Sequence, residues 1–249
     1  MLKNIIVTQA RVNSTRLPNK VMMSIDGETL LETHLNRLTK SLKADKVILA
    51  TTFEKGVQNL IDVGKKSGVE IFQGETDNVL SRFYNAVEKF NPEYIVRVTS
   101  DCPLIDPNLI DNLLEIAENE KLDYVSNILL ESYPDGQDIE VMSYKALEIC
   151  NGSVTLSSDK EHVTPYIKRN STFFNGSLFY SKNIKSTVDY SHIRMTVDEI
   201  RDFECINVLI KKLGRNKSWN EYARFIMNNQ NLFTNQGILR NEGYFKSPY

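Results

Sequence analysis

Short apolar runs rich in β-branched residues alternate with amphipathic helical patterns, and this alternation restricts the fold more than any other feature. The apolar runs lie at 4–9, 47–50, 69–72, 94–99 and 124–126. Helical patterns lie between them at 31–42, 57–65, 77–89 and 107–120. Asp77 is placed to cap the third pattern, and Asp106 followed by Pro107 is the predicted N-cap of the fourth. Strand–helix repeats with short connections predict an α/β fold with a doubly wound, mostly parallel sheet and right-handed crossovers.

The alternation breaks after Asn127, and the second half of the chain has a mixed pattern. Turn residues at 134–136, a strand near 139–142, a helix near 161–168 and strand-like alternation at 172–180 predict a mixed α+β insertion. A core strand at 193–197 and helices at 199–212 and 219–228 follow. We therefore predict one domain over 1–249, with 128–181 as a subregion for acceptor binding and dimerisation.

The composition excludes several broad classes of protein. Lys and Arg total 30 against 32 Asp and Glu, so the net charge is −2 and there is no basic footprint for nucleic acid. No stretch approaches the roughly 20 apolar residues of a membrane span, and the N-terminus has no signal-peptide pattern. Cys102, Cys150 and Cys205 fit neither a disulfide framework nor a zinc spacing. These features predict a cytoplasmic protein with reduced thiols in or near its core.

The loop after the first strand concentrates positive charge. Ligands of open α/β sheets bind at the carboxyl ends of strands, so residues that follow a strand are the most informative. Segment 9–20 has three cations within ten residues and two hydroxyls between them: Arg11, Arg16, Lys20, Ser14 and Thr15. Guanidinium and ammonium groups suit phosphate oxygens, and hydroxyls complete a triphosphate cradle. The alternative is a solvated basic loop that turns at Pro18.

Two aspartates each end a strand-like run. Asp101 follows the 94–99 strand ahead of a proline turn, and Asp198 follows the 193–197 run where a helix begins. Mg²⁺ takes one or two protein carboxylates and otherwise keeps water and phosphate, so a carboxylate at Asp101 can hold Mg²⁺ against a phosphate. The alternatives are a turn-forming role for Asp101 and a helix N-cap for Asp198. Because 97 residues separate them, their convergence depends on the fold.

Polar residues of the second half are candidates for binding the second substrate. Segment 133–140 carries most of them: Tyr133, Asp135, Gln137, Asp138 and Glu140. Its acidic character suits acceptor hydroxyls but repels a carboxylate-bearing acceptor unless a metal or Arg194, itself a candidate acceptor-binding residue, intervenes. His162 is a further candidate, for binding the acceptor or for proton transfer. Alternatively, 134–136 is a plain turn beside a solvated strand, and His162 is a structural residue at a helix start.

The string from Gln9 to Lys20, Gln-Ala-Arg-x-x-Ser-Thr-Arg-Leu-Pro-x-Lys, resembles the N-terminal signature of a known family. It is similar to that of the CMP-sugar-acid synthetases, the cytidylyltransferases that activate acylneuraminate and 3-deoxy-octulosonate. The resemblance is closest to their spore-coat-polysaccharide branch. Strings similar to that branch follow in the expected order at 77–84, 101–106, 133–140, 161–166 and 196–198. The resemblance runs from about residue 4 to about residue 208.

The resemblance implies a nucleotide-binding fold of the glycosyltransferase-A type that uses CTP and Mg²⁺. The catalytic residues that it implies are Arg11, Arg16, Lys20 and Asp101, and the implied metal ligands are Asp101 and Asp198. The implied nucleotide-binding residues are Gln9, Ala10, Arg11, Ser14, Thr15, Arg16, Lys20, Thr51, Arg82 and Ser100. Ser100 and Asn19 depart from the pattern, since glycine is more usual at both positions. The Ser100 side chain narrows the space for the nucleotide, whereas asparagine tolerates unusual backbone angles.

The implied reaction is attack of an acceptor oxygen on the α-phosphorus of CTP, which transfers CMP and releases pyrophosphate. The acceptor is a sugar acid or a related polyol or sugar used for a surface polysaccharide or glycan, and the resemblance also implies a homodimer. A glycosyltransferase of similar fold, a uridylyl- or guanylyltransferase and a non-catalytic nucleotide-binding protein are the alternatives. The dense basic loop favours a free triphosphate over a nucleotide-sugar.

Overall fold

A seven-stranded sheet forms the centre of the protein in a computed structural model that describes residues 2–12, 16–238 and 240. The strands are β1 (Asn4–Gln9), β2 (Ser24–Ile25), β3 (Glu28–Thr29), β4 (Lys46–Thr51), β5 (Glu70–Gln73), β6 (Tyr94–Thr99), β7 (Tyr124–Ser126), β8 (Glu140–Ser143) and β9 (Ser181–Asn183). β2 and β3 form a separate hairpin, and the sheet order is β5-β4-β1-β6-β8-β7-β9. Only β8 is antiparallel to its neighbours, so the sheet is mostly parallel.

Helices cover both faces of the sheet. They are α1 (Leu30–Leu38), α2 (Gln58–Lys66), α3 (Val79–Glu88), α4 (Pro107–Glu120), α5 (Tyr144–Ser153), α6 (Ser157–His162), α7 (Pro165–Arg169), α8 (Ile200–Leu213) and α9 (Trp219–Asn228). Alternate side chains of one strand face opposite ways. Ile5 and Val7 therefore pack with α3 and α5, whereas Ile6 packs with α1, α2 and α4. The predicted doubly wound α/β fold is confirmed.

Helix α1 is shorter than the leucine pattern predicts. It ends at Leu38, and Leu42 lies beyond it with 90% of its surface exposed. The Asp111 carboxylate of α4 accepts hydrogen bonds from the backbone N–H groups of Leu42 (2.9 Å) and Lys43 (3.1 Å). This contact holds the segment in a turn, and Leu42 was wrongly predicted to join the apolar face of the helix.

The start of α3 also differs from its prediction, whereas the start of α4 agrees. Asn78, rather than Asp77, caps α3, because its side chain accepts from the Ser81 N–H at 3.0 Å. Asp106 caps α4 as predicted, accepting from the Asn108 N–H at 2.9 Å. Both contacts satisfy backbone donors that the first helical turn leaves without partners.

The insertion contains less regular structure than the sequence predicts. The single helix predicted at 161–168 is two short helices, α6 and α7, separated at Val163 with φ = 70°. The strand predicted at 172–180 is wrong: a 3-10 turn at Thr172–Phe174 precedes β9. The chain packs too closely for a strand here, since a Cβ on Gly176 would lie 2.3 Å from the carbonyl carbon of Asn170. Segment 193–197 is buried but makes only an isolated bridge between Asp135 and Arg194.

Two expectations from composition can be compared with the structure. All three cysteines are buried and free, as predicted. Among the described residues, no helix has the length and apolar character needed to cross a membrane.

Candidate active site

The loop after β1 is tied to the neighbouring strand end. The Ala10 N–H donates to the Ala50 carbonyl (3.2 Å), and the Val12 N–H donates to the Glu54 carboxylate (2.8 Å). The Thr52 hydroxyl donates to the same Glu54 oxygen at 2.9 Å. The loop therefore begins from a fixed position at the carboxyl edge of the sheet, where an α/β ligand site is expected.

A left-handed residue and a 3-10 turn place Lys20 at the other end of this loop. Asn19 has φ = 57° and ψ = 21°, a conformation that asparagine adopts more readily than most residues. Lys20 begins the turn Lys20–Met22 and is mostly buried, whereas Arg11 and Arg16 are exposed. Two of the predicted phosphate ligands lie outside the described residues: Ser14 and Thr15.

Asp101 and Asp198 converge on the Lys20 ammonium. Lys20 Nζ lies 3.3 Å from Asp101 Oδ2 and 2.8 Å from Asp198 Oδ1. Arg16 Nη2 reaches the same Asp198 oxygen at 3.0 Å. Burial disfavours the charged ammonium, but the two carboxylates outweigh burial and raise the pKa of Lys20 above its ordinary value. The fold thus brings together the two aspartates that lie 97 residues apart.

Backbone contacts fix the turn that carries Asp101. The Val197 N–H donates to the Asp101 carbonyl at 2.8 Å, which joins the two aspartate-bearing segments. His34 of α1 holds the same turn, with Nδ1 2.8 Å from the Cys102 carbonyl. Burial lowers the pKa of His34 to about 4, so the neutral ring donates from Nδ1 and accepts from the Thr8 hydroxyl at Nε2 (2.9 Å).

A buried ion-pair network supports Asp198. Arg194 Nε and Nη2 donate to the Asp202 carboxylate at 2.8 and 2.9 Å, and Arg194 Nη1 donates to Asp135 at 2.7 Å. Arg194 Nη2 also lies 3.5 Å from Asp198 Oδ2. The Asp202 carboxylate accepts from the N–H groups of Asp198 (2.9 Å) and Glu199 (3.0 Å). Glu199 is the N-cap of α8, so the Asp198 carboxylate is left for the cluster around Lys20.

Two residues predicted to bind the acceptor lie inside the fold. Tyr133 packs edge-on against Trp219, with ring centroids 4.9 Å apart. The Gln137 side chain accepts from the Asp106 N–H at 2.9 Å and donates to the Leu104 carbonyl at 3.0 Å. These contacts hold 133–140 against the 101–106 turn.

Glu140 is enclosed by cations and hydroxyls within the sheet. Its side chain is 1% exposed, and it pairs with Arg97 of β6 and with Lys168 of α7, the latter at 3.0 Å. The hydroxyls of Tyr124 (2.5 Å) and Thr164 (2.7 Å) also donate to it. Burial alone would raise the pKa of Glu140, but Lys168 and Arg97 lower it to about 2. Neither cation was predicted from the sequence as a site residue, although the charge of Arg97 inside the apolar 94–99 run was a usable signal.

The remaining predicted acceptor residues lie beside these two networks. Asp138 pairs with Arg240 at 2.5 Å, which places Arg240 beside segment 133–140. His162 ends α6 and is partly buried. Burial, together with the positive charges of Arg97 and Lys168, lowers the pKa of His162 below its ordinary value.

A cavity of about 650 Å³ opens beside the carboxyl ends of β4 and β5. Phe53, Asp77 and Lys160 line it, together with Gly74, where a Cβ would lie 3.0 Å from the Arg82 Cγ. Gly74 thus allows the chain to pass close to Arg82, which was predicted to bind the nucleotide. The sequence did not predict the cavity itself.

Several predicted nucleotide-binding residues are buried: Ala10, Thr51 and Ser100 at or just after strand ends, and Arg82 in α3. Within the described part of the chain, three side-chain atoms of these residues and of Gln9 have no hydrogen-bond partner: Gln9 Oε1, Thr51 Oγ1 and Arg82 Nε. Buried polar atoms usually find partners, so unpaired ones near the carboxyl edge of the sheet suit a polar ligand.

No group of three or more His, Cys, Asp or Glu residues in the described ranges is arranged to hold a metal ion. The Asp101–Asp198 pair remains the candidate. Two carboxylates directed at one cation match the small number of protein ligands that Mg²⁺ requires.

Comparisons with known proteins agree with this geometry. A family model described as cytidylyltransferase matches residues 5–231, which include the basic loop and both aspartates. A cytidylyltransferase structure from Leptospira borgpetersenii serovar Hardjo-bovis has a TM-score of 0.88 and 30% identity, covering 96% of this chain and 100% of that one. A spore coat polysaccharide biosynthesis protein of Bacillus subtilis is 28% identical over 216 residues, 84% of this chain and 87% of its own length. A 3-deoxy-manno-octulosonate cytidylyltransferase of Francisella tularensis is 29% identical over 195 residues, 76% and 71% of the two lengths.

Proposed function

Since this chain belongs to the cytidylyltransferase family and is a CTP-dependent nucleotidyltransferase, we propose that it transfers CMP to a sugar acid or a related polyol or sugar. The resemblance predicted from the sequence is thereby confirmed at the level of the family. The observation that carries the proposal is the convergence of Asp101 and Asp198 on Lys20 beside the basic loop. The name of the Francisella relative supports a sugar-acid acceptor, and that of the Bacillus relative supports a step in polysaccharide synthesis.

The basic loop is the proposed site of the triphosphate. Exposed Arg11 and Arg16 can each present a planar fork to phosphate oxygens, and Lys20 adds a point charge. Lys20 and Arg16 already contact Asp198, so phosphate bound by these two cations would lie against the carboxylate cluster. Positive charge there stabilises the negative charge that develops on departing pyrophosphate.

Asp101 and Asp198 are the residues that would hold Mg²⁺. Both direct a carboxylate oxygen at one cationic position, and neither is a helix cap whose oxygens are fully used by backbone N–H groups. Bound there, the metal would supply charge neutralisation at the phosphates. The Arg194–Asp202 network holds Asp198 in place, and the Val197 N–H holds Asp101.

The cavity beside β4 and β5 is the proposed site of the base and ribose. Gln9 Oε1 and Thr51 Oγ1 are buried without partners in the described structure. A buried acceptor without a donor suits the 4-amino group of cytosine. Phe53 has 72% of its surface exposed at the cavity wall, where an aromatic face can pack on a base.

The proposed reaction is an in-line displacement. An acceptor oxygen attacks the α-phosphorus, a bond from phosphorus to the acceptor forms, and the bond to the pyrophosphate oxygen breaks. The chain contributes by positioning both substrates and by placing Arg16 and Lys20 near the leaving group. Pre-positioning removes much of the entropic barrier to a reaction between two bound molecules.

Pyrophosphate release with CTP, UTP, ATP and GTP, each with Mg²⁺ and a panel of sugar acids and polyol phosphates, tests the proposed function. We expect release to require CTP together with one acceptor class. Release with another nucleotide alone would contradict cytidylyl transfer. Tight CTP binding without release for any acceptor would favour the non-catalytic alternative.

We also propose that the chain forms a homodimer through the segment around β9. Exposed apolar side chains gather there: Phe173, Phe174, Leu178 and Tyr180. β9 is the last strand in the sheet order, so one of its edges has no strand partner among the described residues. Exposed apolar surface beside an open edge favours association with another chain.

Charge at the β9 segment should therefore prevent dimerisation. The double variant Phe174→Glu/Tyr180→Glu is expected to elute as a monomer, with the wild type a dimer, in size-exclusion chromatography with light scattering. Leu42→Glu, at an exposed apolar residue of a different segment, should remain dimeric. A monomeric wild type, or a double variant that stays dimeric, would refute this interface.

A further inference from the structure

Two cations surround one buried carboxylate on the face of the sheet that packs with α3 and α5. Arg97 and Glu140 are register partners on β6 and β8, and Lys168 reaches Glu140 from α7. Two cationic side chains around one carboxylate give these three residues a formal net charge of +1. Nearby Asp138 is paired with Arg240, so it does not cancel this charge.

The two cations remain accessible, whereas the carboxylate does not. The side chains of Arg97 and Lys168 are 14% and 28% exposed, against 1% for Glu140. The Nε of Arg97 has no hydrogen-bond partner in the described structure. A guanidinium has five N–H donors, and Glu140 therefore orients Arg97 without satisfying it. Arg97 and Lys168 therefore form a basic site, and the buried Glu140 carboxylate holds both side chains in place.

The backbone that supplies Thr164 and Lys168 is strained and firmly held. Val163 is β-branched and has φ = 70°, and the Thr164 N–H donates to the His162 carbonyl at 2.8 Å across it. Arg169 joins α7 to α6 through two hydrogen bonds to Asp159, at 2.8 and 2.6 Å. Strain of this kind persists where surrounding contacts enforce it, and it is concentrated at ligand sites.

Arg97 lies close to the carboxylate cluster along β6. Arg97 lies two residues before Thr99, the last residue of the strand that leads to Asp101. At about 3.3 Å per residue, its Cα is about 7 Å below the strand end. This separation along β6 is short enough for one acceptor to reach both the cations and the carboxylate cluster.

We propose that Arg97 and Lys168, oriented by Glu140, bind an oxyanion of the acceptor, either a carboxylate or a phosphate. This deepens the proposed cytidylyl transfer and rests on it for the identity of the ligand as the acceptor. His162, beside both cations, is placed to hydrogen-bond an acceptor hydroxyl. Asp135 and Arg194 are then positioning residues for Asp198, although the sequence predicted them to bind the acceptor.

Calorimetric titration of the full chain tests this site without requiring turnover. The probes are 3-deoxy-manno-octulosonate, glycerol 3-phosphate and uncharged glycerol, each added in the presence of CMP and Mg²⁺. We expect at least one anionic probe to bind, and Lys168→Met and Arg97→Met to weaken it about tenfold or more. The first two probes distinguish a carboxylate from a phosphate. Lys145→Met, an exposed lysine of α5 in the same insertion, should bind like the wild type.

CTP affinity, measured in parallel, separates this inference from the proposed function. The proposal is supported if Lys168→Met loses affinity for the anionic probe while its affinity for CTP is unchanged. Lys168 is partly exposed, so this variant should fold even if Arg97→Met does not. Failure of both anionic probes to bind the wild type, or equal affinity in Lys168→Met, would overturn the site. Wild type that binds an anionic probe but releases no pyrophosphate would instead count against cytidylyl transfer.

Discussion

Replacing Asp101 by asparagine is expected to reduce kcat for pyrophosphate release from CTP by about a thousandfold, or about 4 kcal/mol of transition-state stabilisation. The substitution keeps the size of the side chain and removes its charge. Asp101 and Asp198 together balance Lys20 and Arg16, so loss of one carboxylate removes half of the proposed metal site. Steady-state kinetics at saturating CTP, with Mg²⁺ varied, measures the effect.

Two controls make this result specific. Asp62→Asn, at an exposed position of α2, should leave kcat unchanged. The Asp101→Asn variant should retain the wild-type far-ultraviolet circular dichroism and its melting temperature within a few degrees. A folded variant that keeps more than a tenth of the wild-type kcat would show that Asp101 does not hold the metal.

Replacing Arg194 by methionine should lower the free energy of unfolding by about 3–5 kcal/mol, because it leaves buried carboxylates without their cation. Asp202 is fully buried and Asp135 nearly so, and both accept hydrogen bonds from Arg194 in the wild type. The same change should lower kcat, since Asp202 and Arg194 position Asp198. Urea denaturation followed by fluorescence of Trp219 measures the stability.

A neighbouring ion pair provides the matched comparison. Arg201 lies on α8 next to Asp202, is 50% exposed and pairs with Glu199 at 3.0 Å. Exposed pairs contribute about 0–1 kcal/mol, so Arg201→Met should be nearly silent. A loss below about 1 kcal/mol in Arg194→Met would mean that the buried network adds little to stability.

Two parts of the site could be predicted because each comes directly after a strand in the sequence. The basic loop and Asp101 each come directly after an apolar strand, and the carboxyl ends of parallel strands share one edge of a sheet. That rule places Lys20 and Asp101 in the same region before any contact is known. It does not reveal that Asp198 joins them, because segment 193–197 is not a regular strand of the sheet.

The acceptor side shows where sequence patterns stop being sufficient. Segment 133–140 contains many polar residues, yet Tyr133 and Gln137 are used in packing and Asp135 serves Arg194. Their roles depend on partners far along the chain. A polar residue in an exposed turn and one in a buried network look the same in sequence, since burial is a property of what packs over it.

The sequence by itself determined the doubly wound sheet and the loop that follows β1, because both depend on the local order of apolar, helix-forming and turn residues. Only the tertiary structure decided that Glu140 is enclosed by Arg97 and Lys168. Arg97 and Glu140 meet because β6 and β8 pair in one register, and a shift of one residue would place their side chains on opposite faces. The sequence therefore identified Glu140 as a candidate but neither Arg97 nor Lys168, and strand register with burial decided that the three side chains lie together.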